Sequence, residues 1–410
     1  MSPSAQQTHL EFVRLAAEEP SSLYFEDFLR SGYSAWPDSY QRRFPDLSRW
    51  PGIAGLQTRL KQLAGGPASD HVLISSRSAE LMKLAARVLC KTCRGIFTTD
   101  FNWPTYQNIL QHEAKRTGNR VHVASLRTSV LRERMPPEQL IAEIVREFRD
   151  QDCDGLFLPA VDNLGVRLPI ADIAAAIRQQ SELRFVVVDA AQALAHVPVE
   201  DCLAAADFTI AGCHKWLRGY FPLGFAFFGQ PGTREFIGDT AADMLRTAEL
   251  DDGLLRFCAQ LTGDNLDDYS ETVNLGPLFS CCGAATDALA LGATAGDSIV
   301  QQIANVELVC DIARHGHWQP LMPHRAFATG ILLLEHHDTK GRFAIADAVR
   351  RHFQDRGIIA TGYEDGLVRL SMPKRHFSAD DLRLLRHALA DHRPSAVALP
   401  RMQRFCQVSS

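Results

Sequence analysis

From residue 70 onward, short apolar runs rich in β-formers alternate with longer amphipathic ones, and this alternation constrains the fold more than any other feature. Strands are predicted at Val72–Ser75, Gly95–Thr99, Arg120–Ala124, Gly155–Leu158, Phe185–Asp189, Phe208–Ala211 and Gly224–Phe228. Helices are predicted over 78–93, 104–116, 136–150 and 170–180. Strand–helix alternation of this kind predicts an α/β chain built on a mostly parallel sheet, here of seven strands, with helices on both faces. The run Phe185-Val186-Val187-Val188 is apolar without a period of two, as a strand covered on both sides requires. No long helix separates the last two strands, so an antiparallel strand is expected to join the sheet.

The flanks read differently. Residues 1–66 form an irregular N-terminal segment with a helix over 54–64 that ends at Gly65-Gly66. The large domain spans 67–310 and ends in a long helical region near 280–313. A strand at 327–335, a helix at 343–356, strands at 358–361 and 367–371 and a helix at 378–392 predict a small α+β C-terminal domain over 311–395, followed by a tail at 396–410. With 410 residues, 46% of them hydrophobic, a large core is available. The net charge of −5 argues against general nucleic-acid binding, which needs a basic face. No apolar run reaches about 18 residues, so no membrane span is expected. The N-terminal MSPSAQQTHLEF lacks a secretory pattern, and the ten cysteines read as reduced thiols, so a cytoplasmic location is expected.

In open α/β sheets ligands bind beyond the carboxyl ends of the strands, so the residues that follow each strand carry the functional reading. Asp189 ends the buried apolar strand, where a carboxylate is costly without a cationic partner. Lys215 follows 26 residues later, after the next strand, between His214 and Trp216. Pyridoxal 5'-phosphate requires such a pair: a lysine to form the Schiff base and an acid to keep the pyridine nitrogen protonated.

These residues resemble the fold type I pyridoxal phosphate enzymes, specifically the class V aminotransferase and cysteine desulfurase superfamily, over roughly residues 70–390. The match is strongest at Asp189-Ala190-Ala191-Gln192 and His214-Lys215-Trp216. The resemblance implies that Asp189 pairs with the pyridine nitrogen and Gln192 contacts the phenolic oxygen. It further implies that His214 lies near the phosphate and that Lys215 is the catalytic lysine. Ser75-Ser76-Arg77-Ser78-Ala79 sits where the family has its phosphate-binding turn, which makes Arg77, Ser78 and Ala79 candidates. Trp103 stands where an aromatic residue stacks on the ring, and Asn163, or Asp162 in an alternative register, where an Asn-containing turn meets the cofactor or substrate. Thr272 in Glu271-Thr272-Val273-Asn274 resembles the threonine that reaches the phosphate of a neighbouring subunit, which implies a homodimer with a shared active site. Arg369 matches the arginine that binds the substrate α-carboxylate, a role its planar fork suits. Each weaker match has a plain alternative: an N-cap serine, a core tryptophan, a capped turn, an ordinary loop and a surface arginine.

Cys90 and Cys93 form a CxxC without a second pair, and no metal site is expected. His315, His317, His336 and His337 read as solvated histidines, and Asp251, Asp252, Asp267 and Asp268 as solvated loop acids. Cysteine desulfurases carry a nucleophilic cysteine shortly before the carboxylate-binding arginine, and residues 357–366 contain none. Gly212-Cys213-His214-Lys215-Trp216 resembles the isopenicillin-N-epimerase-like branch, whose members racemise, eliminate or transaminate. The expected function is action on an α-amino acid, or a metabolite containing one, through an external aldimine and Cα deprotonation. An aminotransferase is the first reading. A lyase acting by β-elimination or an epimerase is the alternative, and a non-catalytic binding protein on the same fold is the reading from another class.

Overall fold

The computed structural model describes residues 2–19, 26–65, 72–229, 231–263, 272–290 and 295–390. The predicted tail at 396–410, Glu271, Asp267 and Asp268 lie outside the described residues. Within them, seven strands form one sheet: β1 (Val72–Ser75), β2 (Gly95–Thr99), β3 (Arg120–Ala124), β4 (Gly155–Pro159), β5 (Phe185–Asp189), β6 (Phe208–Gly212) and β7 (Gly224–Phe228). Their order is β1-β7-β6-β5-β4-β2-β3. β3, β2, β4, β5 and β6 pair in parallel, whereas β7 runs antiparallel to both β6 and β1. The sheet is thus mostly parallel with seven strands, and the antiparallel member is the last one. Every residue of β5 is buried, the outcome its unbroken apolar run required.

Two registers align the strand ends. Ser75, Gly224 and Gly212 form one cross-strand row, and Pro159, Asp189 and Ile210 form another. The carboxyl ends of β1, β2, β4, β5 and β6 therefore lie along one edge of the sheet, with the start of β7 among them.

The N-terminal residues depart from the irregular segment expected. They fold as helices α1 (Pro3–Glu18), α2 (Glu26–Ser31), α3 (Asp38–Arg43) and α4 (Gly52–Ala64). Ser2 caps α1, Pro3 occupies its first position, and Ala5, Thr8, Phe12 and Leu15 make its buried face. Gly65 ends α4 in the left-handed conformation, φ 67°. The crossover helices follow the expected segments: α5 (Ser78–Thr92), α6 (Pro104–Thr117), α7 (Arg127–Leu131), α8 (Pro137–Asp150), α9 (Ile170–Gln180) and α10 (Glu200–Ala205). After β7 come α11 (Pro231–Arg246), α12 (Gly253–Thr262), α13 (Gly276–Ala290) and α14 (Ala295–Arg314), so the single long helical region expected near 280–313 is two helices. Phe12 of α1 stacks on Phe279 of α13 with ring centroids 4.3 Å apart.

The chain divides into two units. One comprises Met1–Val306, Leu321–Leu333 and Ser371–Arg375, and the other Glu307–Pro320, Leu334–Leu370 and His376–Ser410. A second, four-stranded sheet has the order β10-β11-β9-β8, from β8 (Trp318–Leu321), β9 (Ile331–His336), β10 (Thr361–Gly362) and β11 (Leu367–Ser371). Helices α15 (Ala346–Gln354) and α16 (Ala379–Leu389) complete this α+β portion. The strand expected at 327–335 begins only at Ile331, after a short 3-10 turn, and β8 was not anticipated. His336, expected to be solvated, is buried: it packs edge-on to Trp318 and Phe343, and its Nδ1 accepts the Asp338 N–H at 2.9 Å. His315, His317 and His337 are exposed.

Candidate active site

The row Pro159–Asp189–Ile210 brings the residues after β4, β5 and β6 side by side. Asp189 is 7% exposed, and its Oδ1 accepts the Ala191 N–H at 2.8 Å. Burial pushes its carboxyl above the ordinary carboxylate range, while the charge of Lys215 and the Ala191 N–H pull it back. Lys215, in the loop after β6, is exposed, and its ammonium acts on that buried carboxylate. Burial, then Lys215, lower the pKa of His214, so its imidazole favours the neutral form.

Gln192 lies three residues beyond β5, in the turn after the Asp189 cap. Its Oε1 accepts the indole N–H of Trp216 at 2.9 Å. The Trp216 ring stacks on His196 with centroids 3.6 Å apart and planes 15° from parallel. His196 is wholly buried, with Nδ1 2.8 Å from the Gln192 carbonyl and Nε2 accepting the Gly330 N–H at 3.0 Å. Sequence reading passed over His196, which follows Asp189 without belonging to a quoted motif.

The turn between β1 and α5 is built around a buried acid. Asp252, expected to be a solvated loop residue, is 2% exposed. It caps α12 by accepting the Leu255 N–H at 2.9 Å, and it also accepts Ser75 Oγ at 2.5 Å, Ser76 Oγ at 2.9 Å and the Ser76 N–H at 2.9 Å. An aspartate in a loop sequence reads alike whether it is solvated or capping, so no local signal separates the two. Ser78 and Ala79 then open α5, where backbone N–H groups have no intrahelical acceptor and favour an anion. Arg77 is largely exposed and pairs with the buried Glu80 at 3.4 Å. Gly224 is obligatory beside this turn: a Cβ there would stand 2.4 Å from the Arg77 carbonyl carbon and the Ser78 nitrogen.

Trp103 caps the start of α6 with 47% of its surface exposed, and its ring meets Tyr106 edge-on at 5.3 Å. Tyr106 is a second residue that sequence reading left unassigned. It is buried, hydrogen-bonds the Ser78 side chain and feels the charge of Asp189; burial raises its pKa. In the turn after β4, Asp162 Oδ1 accepts the Leu164 and Val166 N–H groups at 2.9 and 2.8 Å, while Asn163 Oδ1 accepts from Arg127 at 3.2 Å. Asp162 therefore builds the turn and Asn163 stands half-buried beside it.

Two candidates remain. Thr272 is exposed at the beginning of a described stretch. Arg369 is on β11 in the second unit, where its Nη2 donates to Thr361 Oγ1 at 3.2 Å. Cys90 and Cys93 are buried, which raises both thiols, Cys93 to about 12. Among the described residues no group of three or more His, Cys, Asp or Glu side chains could hold a metal ion. No helix among them is long and apolar enough to cross a membrane.

Residues 52–227 match the sequence model of the family described as aminotransferase class-V. Over that span the chain is similar to the class V aminotransferases. The fold is shared with solved structures at low identity. A C-DES mutant with glycine covalently linked to the PLP cofactor is 15% identical, with 95% of this chain and 93% of that chain covered and a TM-score of 0.66. A ureidoglycine–glyoxylate aminotransferase from Bacillus subtilis is also 15% identical, with 84% and 85% covered and a TM-score of 0.60. A NifS-like protein is 13% identical, with 93% and 94% covered and a TM-score of 0.63. No curated protein sequence matches the chain.

The donor set fits pyridoxal 5'-phosphate. Asp189 is a buried carboxylate with a single hydrogen-bond donor and with capacity for a protonated ring nitrogen. The first N–H groups of α5 suit a phosphate, and the exposed indole of Trp103 offers a face to an aromatic ring.

Proposed function

We propose that this chain is a pyridoxal phosphate enzyme acting on the amino group of an α-amino acid or an amino-acid-containing metabolite, with transamination as its reaction. The observation that carries this reading is the sheet register, which sets Asp189 and Gln192 of one strand end beside Lys215 of the next, with the start of α5 on the same edge. When bound, the cofactor supplies an aldehyde that condenses with amines and a ring that takes up electrons from Cα.

The chain's own groups then have distinct tasks. Asp189, desolvated, holds a proton at the pyridine nitrogen through a charge-assisted hydrogen bond. Gln192 donates to the phenolic oxygen. Ser78, Ala79 and Arg77 bind phosphate, with His214 near it and Trp103 covering the ring. Lys215 would anchor the cofactor and would move a proton at Cα, the one acid–base group that transamination demands. Arg369 binds the substrate carboxylate, and Asn163 contacts cofactor or substrate. Thr272 reaches a neighbouring subunit, so the active assembly is a homodimer.

Residues 357–366 contain no cysteine, which supports a reaction other than cysteine desulfuration. A β-eliminating lyase or epimerase is the second reading. It is favoured by the likeness to C-DES, a cystine C–S lyase solved in complex with its product cysteine persulfide, against which 96% of this chain aligns. The test is an absorbance spectrum, borohydride reduction and peptide mapping, followed by amino-acid and keto-acid panels with deuterium exchange at Cα. A pyridoxyl adduct on Lys215 and keto-acid product are expected. An eliminated fragment or a racemised substrate would replace transamination by the second reading. Absence of any adduct after adding pyridoxal phosphate would leave a non-catalytic binding protein.

A further inference from the structure

Behind Gln192 lies a clamp whose chemistry is fully determined by hydrogen-bond polarity. An indole N–H donates and never accepts, so the Gln192 atom 2.9 Å from Trp216 Nε1 is the oxygen. The Gln192 Nε2 is left as the free end of the amide, and it is a donor only. We propose that Trp216 and His196 are positioning residues that keep the Gln192 amide in this orientation, presenting its NH2 to the phenolic oxygen of the cofactor. This rests on the pyridoxal phosphate reading above.

The clamp is held at both ends. Trp216 lies against the His196 ring across its whole face, so the indole cannot swing away from Gln192 without losing that stack. The Gly330 N–H donates to His196 Nε2, which makes Nε2 an acceptor. Nδ1 therefore carries the proton and donates to the Gln192 backbone carbonyl. One ring thus fixes both the backbone of Gln192 and the partner of its side chain. Gly330 is fixed in turn: its carbonyl accepts the Met372 N–H at 2.7 Å, and a Cβ would stand 2.8 Å from Gln302. Ala195, just before His196, has φ 58°, a left-handed conformation uncommon for alanine, and its carbonyl accepts from Lys374 Nζ at 2.5 Å. The charges that face His196 are Lys374 and Arg167. With burial they pull its pKa to about 3, so the ring stays neutral and the Gly330 bond survives over the working range.

Without the indole donor the amide can turn over and set its oxygen against the phenolic oxygen. A donor at that oxygen withdraws negative charge and eases loss of the proton from the linkage between Lys215 and the cofactor. Its loss raises the midpoint of that proton transition, which is read in the visible band of the loaded protein. Trp216→Phe keeps the ring and removes the donor. We expect its midpoint to rise by about one pH unit, the worth of one hydrogen bond to a charged group. Gln192→Leu should rise as far and His196→Phe part of the way. Cofactor content and thermal melts confirm that each variant is folded and loaded. Independently of any variant, 15N shifts of the His196 ring in the cofactor-free protein should report the Nδ1–H tautomer. Titrations of Trp216→Phe that superimpose on wild type, or an Nε2–H tautomer, would overturn the clamp alone. A wild-type protein with no reducible adduct on Lys215 would overturn the cofactor reading as well.

Discussion

Asp162 and Asp189 are both carboxyls at strand ends, yet they are held by different groups. Asp162 Oδ1 accepts two backbone N–H groups, and Arg127 Nη2 stands 3.6 Å from its Oδ2. Burial still outweighs these partners and pushes its carboxyl to about 6. The folded chain therefore keeps a proton that the unfolded chain releases near pH 4. Stability falls as pH rises between those two values, and the full cost stands above pH 6. A shift of roughly two units corresponds to about 3 kcal/mol. Asp162→Asn removes the titration and retains an oxygen for the turn, but sets an amide NH2 toward Arg127, so a net gain of about 1–2 kcal/mol is expected at pH 7.5. Little gain is expected at pH 4, where the folded carboxyl is protonated and the unfolded one is about half protonated, so most of the cost has yet to appear. Denaturant titration of the cofactor-free protein at the two pH values checks this. An equal change at both would show that the mutation acts through packing and not through charge.

At the scale of elements, β7 and α5 meet where Gly224 passes the backbone of Arg77 and Ser78. Gly224→Ala forces a Cβ into that backbone, which cannot move as a side chain would, and is expected to cost about 1–3 kcal/mol. Because the displaced atoms open α5, cofactor retention should fall more than in a control substitution at the exposed Gly118, beside which nothing lies within 4 Å. A Gly224→Ala protein that retains cofactor as wild type does would dissociate the turn from phosphate binding. The strands of the large sheet were legible because a doubly covered strand announces itself by an unbroken apolar run, as in β5. The strand-end residues were legible for the same reason, since the strand boundaries place them. Helix α1 was not. Its buried face includes Ser4, Thr8 and Glu11, and its partner α13 lies some 270 residues away, so neither its period nor its packing shows locally. Asp252, His196 and His336 were missed for a related reason: each owes its burial to neighbours distant in sequence, Ser75 and Ser76, Gly330, and Trp318.

The division into two units sets how the whole molecule should respond to pyridoxal phosphate. Asp189, Gln192, His214, Lys215, Ser78 and Trp103 all belong to the first unit, whereas Arg369 belongs to the second. A ligand stabilises only the cooperative unit whose native state it binds. Calorimetry of the cofactor-free protein is expected to show two transitions, since chains of more than one unit depart from two-state unfolding. Pyridoxal phosphate at about 100 times its dissociation constant adds about 2.7 kcal/mol, near 5 °C for a unit of this size, to the larger transition alone. Lys215→Ala should reduce that shift by removing the proposed covalent anchor, while Arg369→Ala should leave it intact, because its proposed task, binding the substrate carboxylate, is a separate event. A single transition that moves as a whole would mean that the two units unfold as one, and that substrate groups on β11 are energetically coupled to the cofactor before any substrate arrives. An unequal effect of the two substitutions on cofactor binding, with Arg369→Ala the more damaging, would instead reassign the second unit from substrate recognition to cofactor retention.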